Sequence, residues 1–337
     1  MNARRGLRLT VLAPAILAAL CIVAVSTNAQ NQSAALTPST PLTWAYALNT
    51  PAAPGAQAAP EDPGPKHVPG SSAAFLLKET RDAFSPPDWH PDSHPPMPEV
   101  VAHGRKPDVR ACGYCHLPVG QGRPENAPIA GLPAGYIIQQ MADYRNGLRK
   151  SSEPKMGPPG LMLGIGKSAN DEEVKAAAEY FSSMKFKPWI RVVETDTVPK
   201  TKVAGWMFVA LEPAGKEPIG QRIVEMPEDL ERTELRDSAS SFIAYVPTGS
   251  IKKGEALVTT GGGRTIRCSI CHGADLKGLG NVPPLAGRSP SYIGRQLYDI
   301  QTGNRNGPWT QLMKEAVSKL TPDDILAIVA YTSSRNP

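Results

Sequence analysis

Beyond residue 29 the chain has four cysteines, and none of them is spare. All four sit in two Cys-x-x-Cys-His strings, Cys112–His116 and Cys268–His272, so a framework of structural disulfides is excluded. A large charge of one sign is missing as well. The formal net charge is +5, and Arg4, Arg5 and Arg8 supply much of it. What remains is no strong basic field, which argues against nucleic acid as a partner. Residues 30–70 lack hydrophobic periodicity: they hold eight prolines and nine alanines, with Trp44, Tyr46 and Leu48 as their few large apolar residues. They are expected to form a flexible, partly extended tether rather than a packed module.

The rest of the composition is that of a folded protein, with 41% apolar and 20% charged residues. A length of 337 residues accommodates two domains of ordinary size. The 35 prolines and 30 glycines point to long irregular connections. Residues 1–29 read as an export signal: three arginines, an apolar run from Leu9 to Val25, and small residues at Thr27-Asn28-Ala29. The alternative is an uncleaved inner-membrane anchor over 9–25, because the run lies between the usual lengths of a signal core and a spanning helix.

An internal repeat organises the chain. At an offset of 156, His116 matches His272, Pro128 matches Pro284, and Ala130-Gly131 matches Ala286-Gly287. Tyr136-Ile137, Gln140, Asp143, Gly147 and Arg149 likewise match Tyr292-Ile293, Gln296, Asp299, Gly303 and Arg305. Past a five-residue deletion, Met162 pairs with Met313, Val174 with Ile325, and Tyr180 with Tyr331. The expected fold is mainly α. Apolar spacing places helices over Asp171–Met184 and Pro322–Ser334, with middle helices over Ala134–Asn146 and Pro290–Thr302. Asn170 and Thr321 are the expected N-caps, each with acids in the first turn. The expected division is 71–187 for the first domain, 188–248 for a connector with short strands, and 249–337 for the second domain. The strands are expected at Trp189–Val193, Trp206–Leu211, Arg222–Glu225 and Phe242–Val246.

The two Cys-x-x-Cys-His strings carry the chemistry. On a helical turn, cysteines three apart project to the same side. Cys112 with Cys115, and Cys268 with Cys271, can therefore each form two thioethers to one porphyrin, and His116 or His272 can ligate its iron. Two haem c groups are expected. A zinc site would want further Cys or His ligands at suitable spacing, and a redox dithiol has no need of the adjacent histidine twice. Among thioethers for the opposite side of each iron, Met313 is the one methionine after the second motif. Met162 stands in the same register in the first copy, with Met156 as the alternative.

The chain resembles the two-domain dihaem class I cytochromes c, small helical electron carriers of bacterial periplasms, over roughly 99–187 and 249–337. The resemblance implies that a proline carbonyl, Pro128 or Pro284, accepts the proximal histidine's N–H. It also implies a close crossing of terminal helices at Gly254 with Tyr331 and at Gly104 with Tyr180. With Met162 and Met313 as ligands the irons are closed, so one-electron transfer is expected between donor and acceptor redox proteins. A peroxidase-like enzyme would need a labile ligand, for which His90, His94 and His103 are the candidates. A cytochrome subunit of a larger dehydrogenase or oxidase complex is the third reading.

Overall fold

The structure is a computed structural model and describes residues 42–50, 63–213 and 215–337. The expected signal or anchor and parts of the expected tether (30–41 and 51–62) lie outside these residues. The first helical set holds α1 (Leu77–Thr80), α2 (Glu99–Ala102), α3 (Cys112–His116), α4 (Ala134–Arg145), α5 (Gly157–Ser168) and α6 (Asp171–Ser183). Next come β1 (Ile190–Glu194), β2 (Thr197–Pro199), β3 (Thr201–Ala204), β4 (Met207–Ala210), β5 (Lys216–Pro218), β6 (Val224–Pro227), α7 (Leu230–Glu234) and β7 (Phe242–Val246). The second helical set holds α8 (Ser250–Thr260), α9 (Ser269–His272), α10 (Pro290–Gln301), α11 (Gln311–Val317) and α12 (Pro322–Ser333).

Local chemistry explains where the long helices begin. Asn170 Oδ1 accepts the Glu173 N–H at 2.8 Å, and the Glu173 carboxylate accepts the Asn170 N–H at 2.9 Å. Thr321 and Asp324 repeat that reciprocal pairing at the start of α12, with Pro322 in the first turn. Such caps satisfy amide donors that the helix leaves open. Val174, Ala177, Ala178 and Phe181 on α6 are buried, as are Ile325, Ile328, Val329 and Thr332 on α12. α12 packs along α8, where a Cβ on Gly254 would overlap the Ala327 carbonyl oxygen and lie 2.8 Å from Tyr331 Cβ.

The matching contact is absent from the first set, which corrects the expectation for Gly104 and Tyr180. α2 is a single turn, and Gly104 lies beyond it at φ +66°, where a Cβ would meet the backbone of Val109 to Ala111. Tyr180 instead donates its hydroxyl proton to the Pro118 carbonyl at 2.8 Å. A helix of four residues is too short to cross α6 as α8 crosses α12.

Between the helical sets lie three small sheets: β1-β7-β6, with β1 and β7 parallel and β6 antiparallel to β7, and the pairs β2-β5 and β3-β4. Val198, Ile219, Val224, Met226 and Ile243 form their core. The four expected strands are present, and β2, β3 and β5 are additional.

Part of the expected tether is packed, which is a second correction. Trp44, Ala45 and Tyr46 are buried against α10. Arg295 Nη1 donates to the Ala45 carbonyl at 2.7 Å, Tyr46 Oη donates to Asp299 at 2.6 Å, and Gly294 leaves room for the Trp44 ring. Val68 is buried with Trp89 and Leu235.

The two helical sets meet through buried polar groups related by the repeat. Arg149 donates to Gln140, Gln296 and the Tyr292 hydroxyl, and Arg305 donates to Gln296, Gln140 and the Tyr136 hydroxyl, all at 2.8–3.1 Å. The Lys150 N–H to Asn304 and Asn306 N–H to Leu148 hydrogen bonds flank this exchange.

Glu225 on β6 is buried at the start of α10, where it accepts from Ser289 Oγ at 2.8 Å and the Ser291 N–H at 3.0 Å. Among the described residues its Oε1 has no protein partner, and burial raises its pKa. A carboxyl group whose folded-state pKa is raised confers stability that is fully present below the unfolded value, about 4.3, and lost as pH rises through the folded value. Glu225→Gln is therefore expected to gain stability relative to the parent as pH rises from 4 towards 8 (roughly the carboxylate range and above). Chemical denaturation across pH tests this, and a constant difference between the two proteins would disprove it.

Candidate functional site

Each Cys-x-x-Cys-His string forms one helical turn, α3 or α9, and each histidine is buried. His116 Nδ1 lies 2.8 Å from the Ala127 carbonyl oxygen, and His272 Nδ1 lies 2.8 Å from the Pro283 carbonyl oxygen. A carbonyl only accepts, so Nδ1 carries the proton and Nε2 keeps its lone pair. Burial lowers both histidine pKa values, opposed by those carbonyl hydrogen bonds. The result in each case is a neutral imidazole with a fixed tautomer, as a metal ligand requires.

These carbonyls correct the expectation for Pro128 and Pro284. The acceptor is the residue one step earlier, Ala127 or Pro283, so the hydrogen-bonded carbonyl belongs to the peptide that precedes the proline. A residue before proline is held extended, which sets the direction of that carbonyl. The Pro128 carbonyl is itself committed to Arg288 Nη1. The repeat did contain the signal, because Ala127 and Pro283 are also 156 apart.

Around His116 there is a cavity of about 100 Å³ lined by Tyr136, Met141, Tyr144 and Met162 from the first set, and by Tyr292 and Arg295 from the second. A second cavity of about 200 Å³ has Cys115 and Met162 on its wall. The structure thus brings Met162 into one site with His116 and Cys115. Met156, at the start of α5, is 1% exposed and packs into the hydrophobic cluster of the second set instead. Cys268 and Met313 pack against that same cluster. His90 pairs with Asp237 at 2.8 Å, His94 with Asp88 at 3.1 Å, and His103 sits 3.4 Å from the Phe84 carbonyl. None of the three lines the cavity at His116.

The donor set fits haem better than zinc. Burial pushes the Cys112 thiol up to about 12 and the Cys268 thiol up to about 11, and raises Cys115 as well. Zinc requires thiolates, whereas thioether formation consumes the sulfur as a neutral group. Cysteines on one side, an imidazole Nε2 and a thioether around an aromatic-walled cavity match a porphyrin iron in kind. Sequence reasoning missed the residues that other parts of the chain lend to this site. Tyr292 and Arg295 come from the opposite copy, and Trp206 and Arg236 come from between the helical sets.

Residues 251–335 match the family model described as Cytochrome c, and together with the motif geometry this defines a c-type cytochrome, a class that binds haem c covalently through its cysteines. Cytochrome c4 of Stutzerimonas stutzeri is 31% identical over 234 residues, covering 66% of this chain and 83% of that one. The thiosulfate dehydrogenase electron acceptor of Stutzerimonas stutzeri (strain A1501) is 25% identical over 231 residues, 68% of this chain and 80% of that one. Among solved structures, thiosulfate dehydrogenase of Marichromatium purpuratum aligns with a TM-score of 0.46 at 24% identity, over 70% of this chain and 39% of that one. The chain belongs to the cytochrome c4 family of c-type electron carriers.

Proposed function

We propose that the chain binds two haem c groups, one at each motif, and relays single electrons between a donor oxidoreductase and an acceptor redox protein in the periplasm. The domains that hold them are 71–187 and 249–337, joined by the connector 188–248. The observation that carries this reading is the same 2.8 Å hydrogen bond behind both buried histidines. A duplicated ligand with a duplicated orienting bond supports two metal sites rather than one site and a relic.

Cys112 and Cys115, and Cys268 and Cys271, tether the cofactor, which supplies an iron that takes up or releases one electron. His116 and His272 present Nε2 in a fixed direction because the carbonyl behind Nδ1 holds each ring. Met162, which shares a cavity wall with His116, and Met313, its partner in repeat register, would supply the second ligand to each iron; a thioether in that role would favour the ferrous state. With a histidine and a methionine each, neither iron would have a position left for substrate, and Tyr136, Tyr144 and Tyr292 give the cavity at His116 an aromatic wall. That arrangement suits electron transfer rather than substrate binding. The relative described as a thiosulfate dehydrogenase electron acceptor supports a dehydrogenase as the donor. The apolar N-terminal run with its flanking arginines supports export.

Intact-mass analysis of the purified protein is expected to find two haems per chain. Met162→Ala is expected to remove about half of the weak near-infrared band of thioether-bound ferric haem, and Met156→Ala to preserve all of it. One haem per chain, or loss of the band in Met156→Ala, would overturn the assignment.

A further inference from the structure

The buried arginines at the junction of the helical sets do not all belong to one exchange. Arg149 and Arg305 trade partners across it, each copy repeating what the other does. Arg288 has no such counterpart. It lies two residues before α10, is 2% exposed, and reaches out of the second copy into the first. Its Nη1 donates to the Pro128 carbonyl, and its Nη2 donates to the Ala130 carbonyl at 2.9 Å. The ring centroid of Phe186, just past α6, lies 4.3 Å from the guanidinium carbon. In repeat register Leu132 stands at the place of Arg288, and Pro337 at the place of Phe186. The duplication therefore carries neither the fork nor its aromatic platform.

Burial pushes the Arg288 pKa down to about 10, which leaves a charged group in the interior at neutral pH. Among the described residues it has no carboxylate partner, and its Nε has no hydrogen bond. A buried cation held only by neutral acceptors loses more solvation than two hydrogen bonds replace, so stability alone does not account for it. The fork closes on the segment behind the first histidine. The Ile129 and Ala130 N–H groups both donate to the Gly120 carbonyl of their own copy, at 2.7 and 2.8 Å. The carbonyls of 128 and 130 are bound by Arg288 from the other copy. Held on both edges, this segment fixes the peptide just before it, whose Ala127 carbonyl accepts from His116 Nδ1 at 2.8 Å. Arg288 is itself firmly mounted. Ser333 Oγ donates to its carbonyl at 2.6 Å, and the adjacent Ser289 Oγ donates to Glu225 at 2.8 Å.

We infer that Arg288 is a positioning residue for the first site: from the second copy it sets the direction of the Ala127 carbonyl, and through it the orientation and donor strength of His116. The influence runs one way, because Leu132 has no donor to offer the segment behind His272. A carbonyl that accepts from Nδ1–H makes an imidazole the stronger donor, which favours ferric iron. This rests on haem being bound at the first motif, as proposed above.

The test uses the full haem-loaded chain with isotope-labelled histidine, followed by NMR. Peptide mass analysis first locates the haems; a parent without haem on Cys112 and Cys115 fails that reading, and this inference with it. Arg288→Lys keeps the charge and loses the fork. In the reduced protein it is expected to speed solvent exchange of the His116 Nδ1 proton at least about tenfold, and that of His272 by less than about twofold. In a redox titration of the same variant the first centre is expected to shift towards ferrous iron by at least about threefold in its equilibrium constant, with the second unmoved. Phe186→Leu removes only the ring beside the guanidinium and is expected to act in the same direction by a smaller factor. It carries the test should Arg288→Lys fail to fold. Parent-like exchange at His116 in the folded variants, or an unmoved first potential, would overturn the inference. So would equal acceleration at both histidines, since general loosening of the fold would then be the cause.

Discussion

Gly254→Val is expected to cost the folded protein about 3 kcal/mol or more, because α8 and α12 touch through that position. A Cβ at 254 would overlap the Ala327 carbonyl oxygen and sit 2.8 Å from Tyr331 Cβ. Neither obstacle is a flexible side-chain end. Ala327 lies in the middle of α12, and its neighbours Ile325 to Thr332 are all buried, so α12 cannot retreat without opening a well-packed core. Valine adds branching at Cβ, which a helix also disfavours. Glycine is normally the weaker helix former by about 1 kcal/mol, so propensity alone predicts the opposite sign for Gly254→Ala. Denaturant unfolding of the haem-loaded chain decides between them. A Gly254→Ala variant as stable as the parent would show that the crossing tolerates a methyl group and that this account of α8 is wrong.

The same crossing shows what was legible in the sequence and what was not. α4, α6, α10 and α12 lie within a residue or two of their expected limits, because each has a cap or terminal glycine and an apolar stripe that repeats. Register alone singled out Met162, which lines the same cavity as His116. α5 was not foreseen: its sequence, Gly-Pro-Pro-Gly-Leu-Met-Leu-Gly-Ile-Gly-Lys-Ser, holds four glycines that oppose helix propensity, and its two prolines fit only because they fall in the first turn. Carrying a family pattern onto Gly104, Pro128 and Pro284 failed where this chain departs from it, by one residue at the carbonyls and by a whole helix at Gly104. The burial of Trp44 and Tyr46 was invisible for a different reason. Their partner, α10, lies about 250 positions later, and local composition carries no trace of so distant a contact. The place of Trp206 and Arg236 on the wall of the cavity beside Cys115 was hidden in the same way.

Replacing either interface arginine is expected to cost about 3 kcal/mol, and replacing both to cost at least about 1 kcal/mol more than the sum. Gln140 Oε1 accepts from Arg149 at 3.0 Å and from Arg305 at 2.9 Å, and Gln296 Oε1 accepts from the same two at 3.0 and 3.1 Å. Two guanidinium groups therefore share two acceptors in a buried place. Arg149→Met leaves the Tyr292 hydroxyl without its donor at 2.9 Å, and Arg305→Met does the same to Tyr136. Each single change also relieves the surviving arginine of a like charge, and that relief is available once, not twice. The energies must then be strongly coupled. Independent sites would add to within about 0.5 kcal/mol, so a four-member cycle by denaturant unfolding has a clear threshold. Because Arg149 and Tyr292 also line the cavity at His116, the network links the junction of the helical sets to that cavity. If the double variant costs the plain sum of the singles, the two arginines act as separate anchors and the junction transmits nothing from one site to the other.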